Sequence, residues 1–300
     1  MSTSSSAKAD LYEQVTQSIV RAIEEGAGEY VMPWHSLARP VNAISRKRYR
    51  GINTLLLWAA AQQGNYSSNE WATYRQWQEL GGQVRKGEKS TVIVFWKFFD
   101  RNEETEDAGG EEPNESTSKK ARCMARAYWL FNAAQVDGVS LPGHEDLPES
   151  ERIAQAEAFF NALPGTVIFE GEEAYYSPSK DSIHMPVFSK FKSASAFYST
   201  MGHERAHWSG APSRLNRDLT GRFGDQSYCF EELISELTSA MICAHLGLPL
   251  EPRKDHAPYV QSWLAAMKSD KRAIFTAASK AQEAANYLEQ LAGLPVPRAA

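Results

Sequence analysis

The sequence is poor in cysteine and has no long apolar run. Its three cysteines, Cys123, Cys229 and Cys243, show no paired spacing, so a disulfide-stabilised secreted scaffold is excluded and the thiols are expected to be small core residues in a reducing compartment. No apolar run is long enough to span a bilayer, and the N-terminal MSTSSSAKAD lacks the apolar centre of a signal peptide. These absences predict a cytoplasmic protein with no membrane partner.

Several common catalytic motifs are also missing. The chain has no Walker-type phosphate loop, no Gly-x-Ser-x-Gly nucleophile elbow and no Cys-x-x-Cys pair. The histidines outside residues 201–210 are scattered and are expected to be structural or solvated: His35, His144, His184, His245 and His256. Residues 201–210 are therefore the candidate catalytic stretch.

The charge of the chain is unevenly distributed. A net charge of −5 argues by itself against a nucleic-acid partner. However, the first 100 residues carry 12 lysines and arginines against 9 acidic residues, and they contain five of the eight tryptophans. This basic, aromatic block is the part of the chain that is expected to bind nucleic acid.

The stretch MGHERAHWSG contains two histidines four residues apart, with a glutamate directly after the first. On a helix over residues 194–208, capped by Ser193, His203 and His207 project from one face and can bind one ion together. Glu204 lies about 100° around the helix. From there it can reach a water molecule on the ion without competing as a ligand, which is the arrangement that metal-assisted hydrolysis requires.

A second helical stretch, YCFEELISELTSAMICAHLG, supplies further carboxylates. Glu232 and Glu236 lie four residues apart on an otherwise apolar helix, where two carboxylates are costly to bury unless a cation compensates them. We assign Glu232 as the third ligand, because a catalytic zinc site takes three protein ligands and leaves one position open. Glu236 is placed to accept the free N–H of a liganding histidine. Glu231 is expected to face solvent.

The predicted chemistry is hydrolysis with Glu204 as the base that accepts a proton from the attacking water. Zn²⁺ is the expected cofactor, and Mn²⁺ or another divalent metal is expected to substitute in vitro. A purely structural zinc is the alternative, although a structural site has no need of a base at position 204.

The fold class is predicted to be α+β, with two domains in a chain of 300 residues. Helices are expected near residues 11–24, 52–63 and 71–80. The stretches STVIVFWKFF and ARAYWLFNAAQV have the β-branched and aromatic content of strands and are expected to pair.

Two stretches predict the domain organisation. The acidic residues 101–122 are expected to form a flexible insertion inside an N-terminal domain of residues 1–136. Residues 137–150 contain two prolines and two glycines, which predicts a linker to a C-terminal domain of residues 151–300.

Two further stretches belong to the C-terminal domain. AYYSP and DSIHMP predict a hairpin whose second strand lies along the edge of the cleft, where an extended peptide could pair with it. Near the C-terminus, Val260, Trp263, Leu264 and Met267 have helical spacing and are expected to pack in the core.

Aromatic and basic residues are interleaved in the N-terminal block. Aromatic faces stack on unpaired bases, and nearby cations neutralise phosphates. Trp58 and Trp96 lie in apolar runs and are expected to be core residues, whereas aromatic residues with polar or basic neighbours are candidates for stacking. The candidate DNA contacts are Trp34, Arg46, Lys47, Arg48, Tyr49, Arg50, Trp71, Tyr74, Arg85, Lys86 and Lys89.

The motif HERAH, followed at this distance by EELISE, resembles the glutamate-zincin pattern. More widely, the chain resembles the ArdC-type plasmid antirestriction proteins in MPWHSLARPVNAISRKRYRGINTLLL, WATYRQWQELGGQVRKGEKSTVIVFWKFF, YWLFNAAQV, YYSPSKDSIHMP and HERAHWSGAPSRL. The resemblance implies a zinc ligand at Glu232 and a supporting acid at Glu236. It also implies an N-terminal single-stranded-DNA-binding domain joined to a zincin-like metallopeptidase domain.

The resemblance leads us to expect an antirestriction protein that binds single-stranded DNA and protects incoming plasmid DNA from host restriction during conjugation. A restriction-system protein is then a candidate target of the metal site. The alternative is a DNA-tethered zinc protease that removes proteins from DNA. The basic aromatic block slightly favours masking of the transferred strand, rather than proteolysis, as the protective step.

Overall fold

The computed structural model describes residues 3–26, 32–35, 38–99, 122–139, 148–219, 221, 225–250 and 257–293. The predicted insertion at residues 101–122 lies outside the described residues except for Arg122. Most of the predicted linker at residues 137–150 also lies outside them, so the insertion and the domain boundary stay predictions.

The described elements alternate between helices and short strands in the first two thirds of the chain and are helical thereafter. The helices are α1 (Thr3–Gly26), α2 (Ile52–Gly64), α3 (Tyr74–Glu79), α4 (Glu149–Ala162), α5 (Ala194–Ser209), α6 (Gln226–His245), α7 (Ala257–Ser269) and α8 (Ala273–Leu291). The strands are β1 (Val41–Asn42), β2 (Glu70–Thr73), β3 (Gln83–Val84), β4 (Thr91–Phe99), β5 (Arg122–Asn132), β6 (Val136–Asp137), β7 (Thr166–Phe169), β8 (Tyr175–Ser177) and β9 (Ser182–Met185).

The N-terminal half contains a four-stranded sheet in the order β1-β2-β5-β4. β1 and β2 are parallel, and the other neighbours are antiparallel. The β4–β5 ladder runs from Thr91 opposite Leu130 to Phe99 opposite Arg122. The predicted pairing of these two strands is therefore confirmed. A separate two-stranded sheet pairs β3 with β6.

The predicted helix over residues 71–80 is wrong at its start. Trp71 lies in β2, which pairs with the central strand β5. The helix begins only at Tyr74, because a capping box fixes its start: the Gln76 amide donates to the Thr73 hydroxyl, and the Thr73 amide donates to the Gln76 side chain. The short strand before the cap places Trp71 in a sheet.

Strand β4 lies at the edge of the sheet, and the side chain of Asn53 in α2 occupies part of that edge. Its amide nitrogen donates to the Val94 carbonyl at 2.8 Å, and the Val94 amide donates to its Oδ1 at 2.9 Å. The two bonds reproduce what a neighbouring strand would supply, so α2 covers a backbone position that an edge strand leaves open.

The C-terminal half contains a three-stranded sheet in the order β7-β9-β8. The predicted hairpin is confirmed as the antiparallel pair β8 and β9. The position of its second strand was predicted wrongly. β9 is the central strand because β7 pairs with it in parallel, from Thr166 opposite Ser182 to Phe169 opposite Met185. The hairpin strand at the edge is therefore β8.

One hydrophobic cluster joins the two halves of the chain. It includes Val15, Ile19 and Leu55 from the N-terminal half and Leu237 and Ile274 from the C-terminal half, each at most 1% exposed. Helix α1 contacts α7, and α2 contacts α8. The two predicted domains thus share a core across the predicted linker.

The helical C-terminus packs as predicted. Val260, Trp263, Leu264 and Met267 are all buried. Cys229 and Cys243 are buried free thiols. Of the helices among the described residues, none combines the length and apolarity needed to cross a membrane.

Candidate metal centre

Helix α5 carries the HExxH motif through the interior of the C-terminal half. Its N-terminus is capped as predicted, because the Ala196 amide donates to the Ser193 hydroxyl at 3.0 Å. His203 and Glu204 are each 4% exposed. The Nε2 atoms of His203 and His207 are 3.1 Å apart, as expected for two residues one helical turn apart with side chains directed at one point.

Helix α6 packs against α5 and brings Glu232 to the same point. Its Oε2 lies 3.3 Å from Nε2 of His203, and its Oε1 lies 3.3 Å from Nε2 of His207. Among the described residues, these three side chains form the group whose donor atoms converge closely enough to hold a metal ion.

The donor atoms are close enough together to share one ion. The two imidazole nitrogens are 3.1 Å apart, and each lies 3.3 Å from one of the two Glu232 oxygens. Ligand atoms bonded to one metal at about 2.0–2.1 Å with tetrahedral angles are about 3.3 Å apart. Two imidazoles and one carboxylate are also ligands that suit a borderline divalent cation. The residues present therefore fit a three-ligand metal site.

Glu236 lies between His203 and two residues of the N-terminal half. Glu236 lies one turn after Glu232 on α6, and its Oε2 is 3.7 Å from His203 Nδ1. Its other oxygen accepts from Trp34 Nε1 at 3.4 Å and lies 3.5 Å from His35 Nε2. Glu236 is thus beside the predicted histidine, with two partners that the sequence did not indicate.

Different residues orient His207. Its Nδ1 lies 3.0 Å from Ser235 Oγ and 3.4 Å from Glu231 Oε1. Glu231 is buried and in turn accepts from Arg217 Nε at 2.9 Å and Nη2 at 2.7 Å. The expectation that Glu231 faces solvent was wrong, because Arg217, in the segment between α5 and α6, folds back and compensates its charge.

The carboxylates control the electrostatics of the centre. Burial alone would lower the pKa of His207, but its bonds to Glu231 and Glu232 raise that pKa to about 10. Burial alone would raise the pKa of Glu232, whereas His203 and His207 hold it well below its usual value. The carboxylates thus stabilise positive charge between the imidazoles, and a divalent cation can provide that charge in place of protons.

A cleft of about 360 Å³ opens onto the centre. Glu204 and the three candidate ligands line it, together with Tyr175 of the edge strand β8. The predicted base, the candidate ligands and a sheet edge therefore meet at one cavity. The edge strand at the cleft is β8, whereas the sequence suggested β9.

Arg214 joins the sheet to the end of α5. Its Nη2 donates to the Tyr176 hydroxyl at 3.0 Å, its Nη1 donates to Asp181 at 3.0 Å, and its guanidinium carbon lies 4.1 Å from the centre of the Trp208 ring. Burial and the neighbouring Asp181 carboxylate raise the pKa of Tyr176 to about 12. Tyr176 therefore stays protonated and donates to Asp181 at 2.8 Å, which keeps β8 in place beside the cleft.

Comparison with known proteins relates this arrangement to a family. Residues 9–131 match the model of the N-terminal domain of anti-restriction factor ArdC, and residues 154–280 match the zincin-like metallopeptidase model. The crystal structure of the antirestriction ArdC protein from plasmid R388, in its metal-free form, superposes with a TM-score of 0.76 at 40% identity, over 95% of this chain and 98% of that one. The chain belongs to the ArdC antirestriction family.

The chain is also similar to proteins of about its own length and to a much longer primase. The Mn(II)-bound structure of the R388 protein gives a TM-score of 0.75 at 40% identity, over 94% of this chain and 98% of that one. The uncharacterized protein y4eC of Sinorhizobium fredii is 50% identical over 93% of this chain and 91% of its own length. A DNA primase TraC of Escherichia coli is 35% identical over 94% of this chain, which spans only 27% of that primase.

Three of the aromatic residues predicted to contact DNA are not exposed, so the prediction that they stack on bases at the surface is wrong. Trp34 and Trp71 are fully buried, and Tyr49 is 8% exposed. Trp34 packs against Trp263 and donates to Glu236 behind the metal centre. Polar neighbours in the sequence do not reveal exposure when those polar groups are themselves bonded within the fold.

The predicted cations between positions 46 and 50 differ in accessibility. Arg46 and Lys47 are exposed, and Arg46 forms an ion pair with Glu70. Arg48 is half-buried, with its Nη1 3.1 Å from His245 Nδ1. Arg50 is half-buried and lines a cavity between α2, β4 and α8. The run therefore does not form one continuous basic surface.

The remaining predicted contacts lie near the β3–β6 sheet. Tyr74 is 41% exposed and shares a shallow depression with Arg85 and Lys86. Arg85 donates to Glu88 at 2.9 Å and to Asp137 at 3.2 Å, which offsets its charge locally. Lys89 is exposed and does not line this depression.

Sequence reasoning missed three exposed aromatic residues in the β4–β5 ladder. Phe95 is 42% exposed, Tyr128 is 40% exposed and Trp129 is 59% exposed. They lie in stretches that are apolar enough to be interpreted as buried strands. The usable signal was the alternation along β5, where Arg126 and Tyr128 occupy the same face.

Proposed function

We propose that this protein protects incoming plasmid DNA from host restriction during conjugation, acting in the cytoplasm by binding single-stranded DNA and by hydrolysing a peptide bond at a divalent-metal centre. Zn²⁺ is the proposed physiological metal, with Mn²⁺ able to replace it in vitro. The observation that carries the hydrolytic part is the convergence of His203, His207 and Glu232 beside Glu204 in one cleft. Membership of the ArdC family supports the antirestriction role.

The residues divide the chemistry among them. A divalent ion at the centre would acidify a water molecule and polarise the scissile carbonyl. Glu204 accepts the proton of the attacking water and returns it to the leaving amine. Glu236 and Ser235 orient the two histidines, and the edge of β8 is available to pair with an extended peptide.

The burial of Glu204 favours hydrolysis over DNA masking as the protective step. A carboxylate that is 4% exposed is costly to keep in a fold, and masking alone gives it no role. The proposed target is a protein of the restriction system, which the cleft would bind as an extended segment.

Glu204→Gln tests this proposal. The change keeps the side-chain volume and all three candidate ligands, so the protein should retain metal and DNA binding. Hydrolysis of a susceptible protein should fall by about 100-fold or more, because general-base catalysis typically contributes 10²–10⁴. The cellular measurement is the efficiency of plasmid transfer into restricting and non-restricting recipients. The substitution should lower transfer into the restricting strain only. Undiminished protection by the metal-loaded variant would leave masking as the mechanism.

A DNA-tethered protease is the second candidate, and one observation favours it. Trp34 and His35, from the half that matches the ArdC N-terminal model, contact Glu236 behind the metal centre, which supports a link between the proposed DNA-binding half and the proposed hydrolytic site. Such a protease would cleave proteins bound to single-stranded DNA whether or not the host restricts. Cleavage assays with DNA-bound and DNA-free forms of one protein separate the two functions.

A further inference from the structure

The β4–β5 ladder exposes a pair of aromatic side chains on one face of the sheet. Phe95 and Tyr128 are 42% and 40% exposed, with ring centroids 5.8 Å apart and ring planes at 71°. Phe95 pairs directly with Arg126, two residues from Tyr128 on the same strand, so all three project from one face. Contiguous exposed aromatic residues on a folded surface indicate a binding site.

The face is concave at this position. A depression of about 380 Å³ contains both aromatic side chains, and the buried Ile93 and Leu130 contribute to its lining. Arg75 and Ser45 line it too. An aromatic-lined depression of this size can take a flat ring system.

The charges around the depression are mainly positive. Arg75 lines it, and the exposed Arg126 lies beside the aromatic pair. Glu79 also lines the depression and pairs with Arg75. The two cations exceed this one carboxylate, so the face favours a polyanion.

The depression beside Tyr74 has no comparable excess of positive charge. Its cations Arg85 and Lys86 are matched by Glu88 and Asp137, both of which bond to Arg85. The local formal charge is therefore balanced. Phosphate binding depends on uncompensated lysine and arginine, so the Phe95–Tyr128 face is the better candidate.

We propose that this face, formed by Phe95, Tyr128 and Arg126, is where single-stranded DNA binds. Unpaired bases stack on the two aromatic rings, and the phosphates lie against Arg126 and Arg75. Bases in a duplex are already stacked on each other and cannot reach the rings, so the face selects single strands. This assignment rests on the proposed function, because it specifies where the proposed DNA ligand binds.

The test uses the full chain, fluorescein-labelled oligothymidylate and fluorescence anisotropy. The double variant Phe95→Leu, Tyr128→Leu keeps apolar volume but removes both ring faces, and its Kd should rise roughly tenfold or more. The matched control is Trp129→Leu: Trp129 is 59% exposed but pairs with Val92 on the opposite face of the same ladder. The control should bind like the wild type.

A second measurement does not depend on the aromatic substitutions. Arg126 is exposed, so Arg126→Gln should leave the fold intact. It should reduce the slope of log K against log salt by about one. Circular dichroism and metal content verify that each variant is folded.

The outcomes separate the two levels of the proposal. If the wild type fails to bind oligothymidylate, both the proposed DNA-binding function and this site are wrong. If the wild type binds but the double variant or Arg126→Gln behaves identically, only the site is wrong. An equal loss of DNA affinity in Trp129→Leu would also refute the site. So would a change in oligomeric state with unchanged DNA affinity, since the face would then be a contact between copies of the chain.

Discussion

Glu236 lies between the candidate ligand His203 and two residues of the N-terminal half, Trp34 and His35. Removing its charge should weaken the orientation and basicity of His203. We therefore expect Glu236→Gln to lower metal affinity roughly 10- to 100-fold, as changes to the partners of metal-binding histidines typically do. Titration of the metal-free protein against a competing chelator measures this effect.

Glu24→Gln is the control for that experiment. Glu24 is an exposed carboxylate paired with Lys268, and its loss should leave metal affinity unchanged. If Glu236→Gln bound metal as tightly as the wild type, Glu236 would have no role in holding the ligand histidine.

Trp71 and Trp129 illustrate the difference between a core and a surface tryptophan. Trp71 is fully buried, so Trp71→Ala should lower the free energy of unfolding by about 3–5 kcal/mol through lost burial and a cavity. Trp129→Ala, at 59% exposure, should stay within about 0.5 kcal/mol. Chemical denaturation measures both. Similar stabilities would contradict the burial of Trp71.

Part of the candidate metal site was predictable because it depends on local geometry. Helical periodicity places His203 and His207 on one face, and it places Glu232 one turn before Glu236. The meeting of Glu232 with the two histidines depends on the packing of α6 against α5. The partners of these residues were not predictable. Glu231 was assigned to solvent because periodicity does not reveal that Arg217 folds back over it.

At the scale of single elements, the edge of β4 offers a test. Asn53→Ala removes both bonds to the backbone of Val94. The unfolding free energy should fall by about 1–3 kcal/mol, the usual cost of leaving buried polar groups unpaired. The exposed edge should also increase self-association at high concentration. Denaturation and light scattering measure the two effects.

Gln63→Ala on the same helix is the matched control. Its side chain makes an exposed bond to Glu25, so the substitution should change neither stability nor association. An Asn53→Ala protein as stable as this control would show that the edge does not need its side-chain cover.

The presence of most helices and strands was predictable from the sequence, but the elements that pack or pair with them were not. Strands β4 and β5 have clear β-branched and aromatic content, and the ends of α5 follow from Ser193 and Gly210. The central position of β9 depends on the parallel partner β7, which is nonlocal. The strand at Trp71 was missed because four residues give too short a pattern to separate from the helix that follows.

At the scale of the whole molecule, a buried ion cluster connects the two halves. Arg39 Nη2 lies 3.0 Å from Glu289 Oε1, and His245 Nδ1 lies 2.8 Å from the same oxygen. Arg39 Nε also donates to the Met241 carbonyl at 2.8 Å. Burial alone would raise the pKa of Glu289, but His245 and Arg39 hold it below its usual value.

The lowered pKa of Glu289 determines how its contribution to stability varies with pH. A carboxyl group that is more acidic in the folded state stabilises the protein above its unfolded pKa, and this stabilisation is lost as the pH falls through the folded pKa. Glu289→Gln should therefore cost about 3–5 kcal/mol near neutral pH, because it leaves the Arg39 guanidinium buried without an anionic partner. The difference from the wild type should shrink in acid. Denaturation at several pH values measures it.

Glu283→Gln on the same helix controls for general acid effects. Glu283 pairs with Lys280 at the surface, so its loss should have little effect at any pH. A Glu289→Gln penalty that is constant from neutral to acidic pH would contradict the lowered pKa.

The shared core was the least predictable feature of the molecule. The composition of residues 137–150 indicates a domain boundary, but it does not indicate which surfaces of the two halves pack against each other. Helices α1 and α2 bury apolar side chains against α7 and α8, far away in the sequence. The position of Trp34 beside Glu236 is a consequence of this packing, which is why it could not be inferred from neighbouring residues.

The shared core predicts that residues 1–139 will not fold stably alone. Excision exposes Val15, Ile19 and Leu55, and each large apolar side chain returned to water costs about 1.5–3 kcal/mol. The isolated fragment should therefore unfold without a cooperative transition when followed by circular dichroism. Co-expression with residues 148–300 as a second chain should restore a single transition and metal binding, because the two fragments rebuild the core. A cooperative transition in the isolated fragment, with the same affinity for single-stranded DNA as the full chain, would instead show an autonomous N-terminal domain.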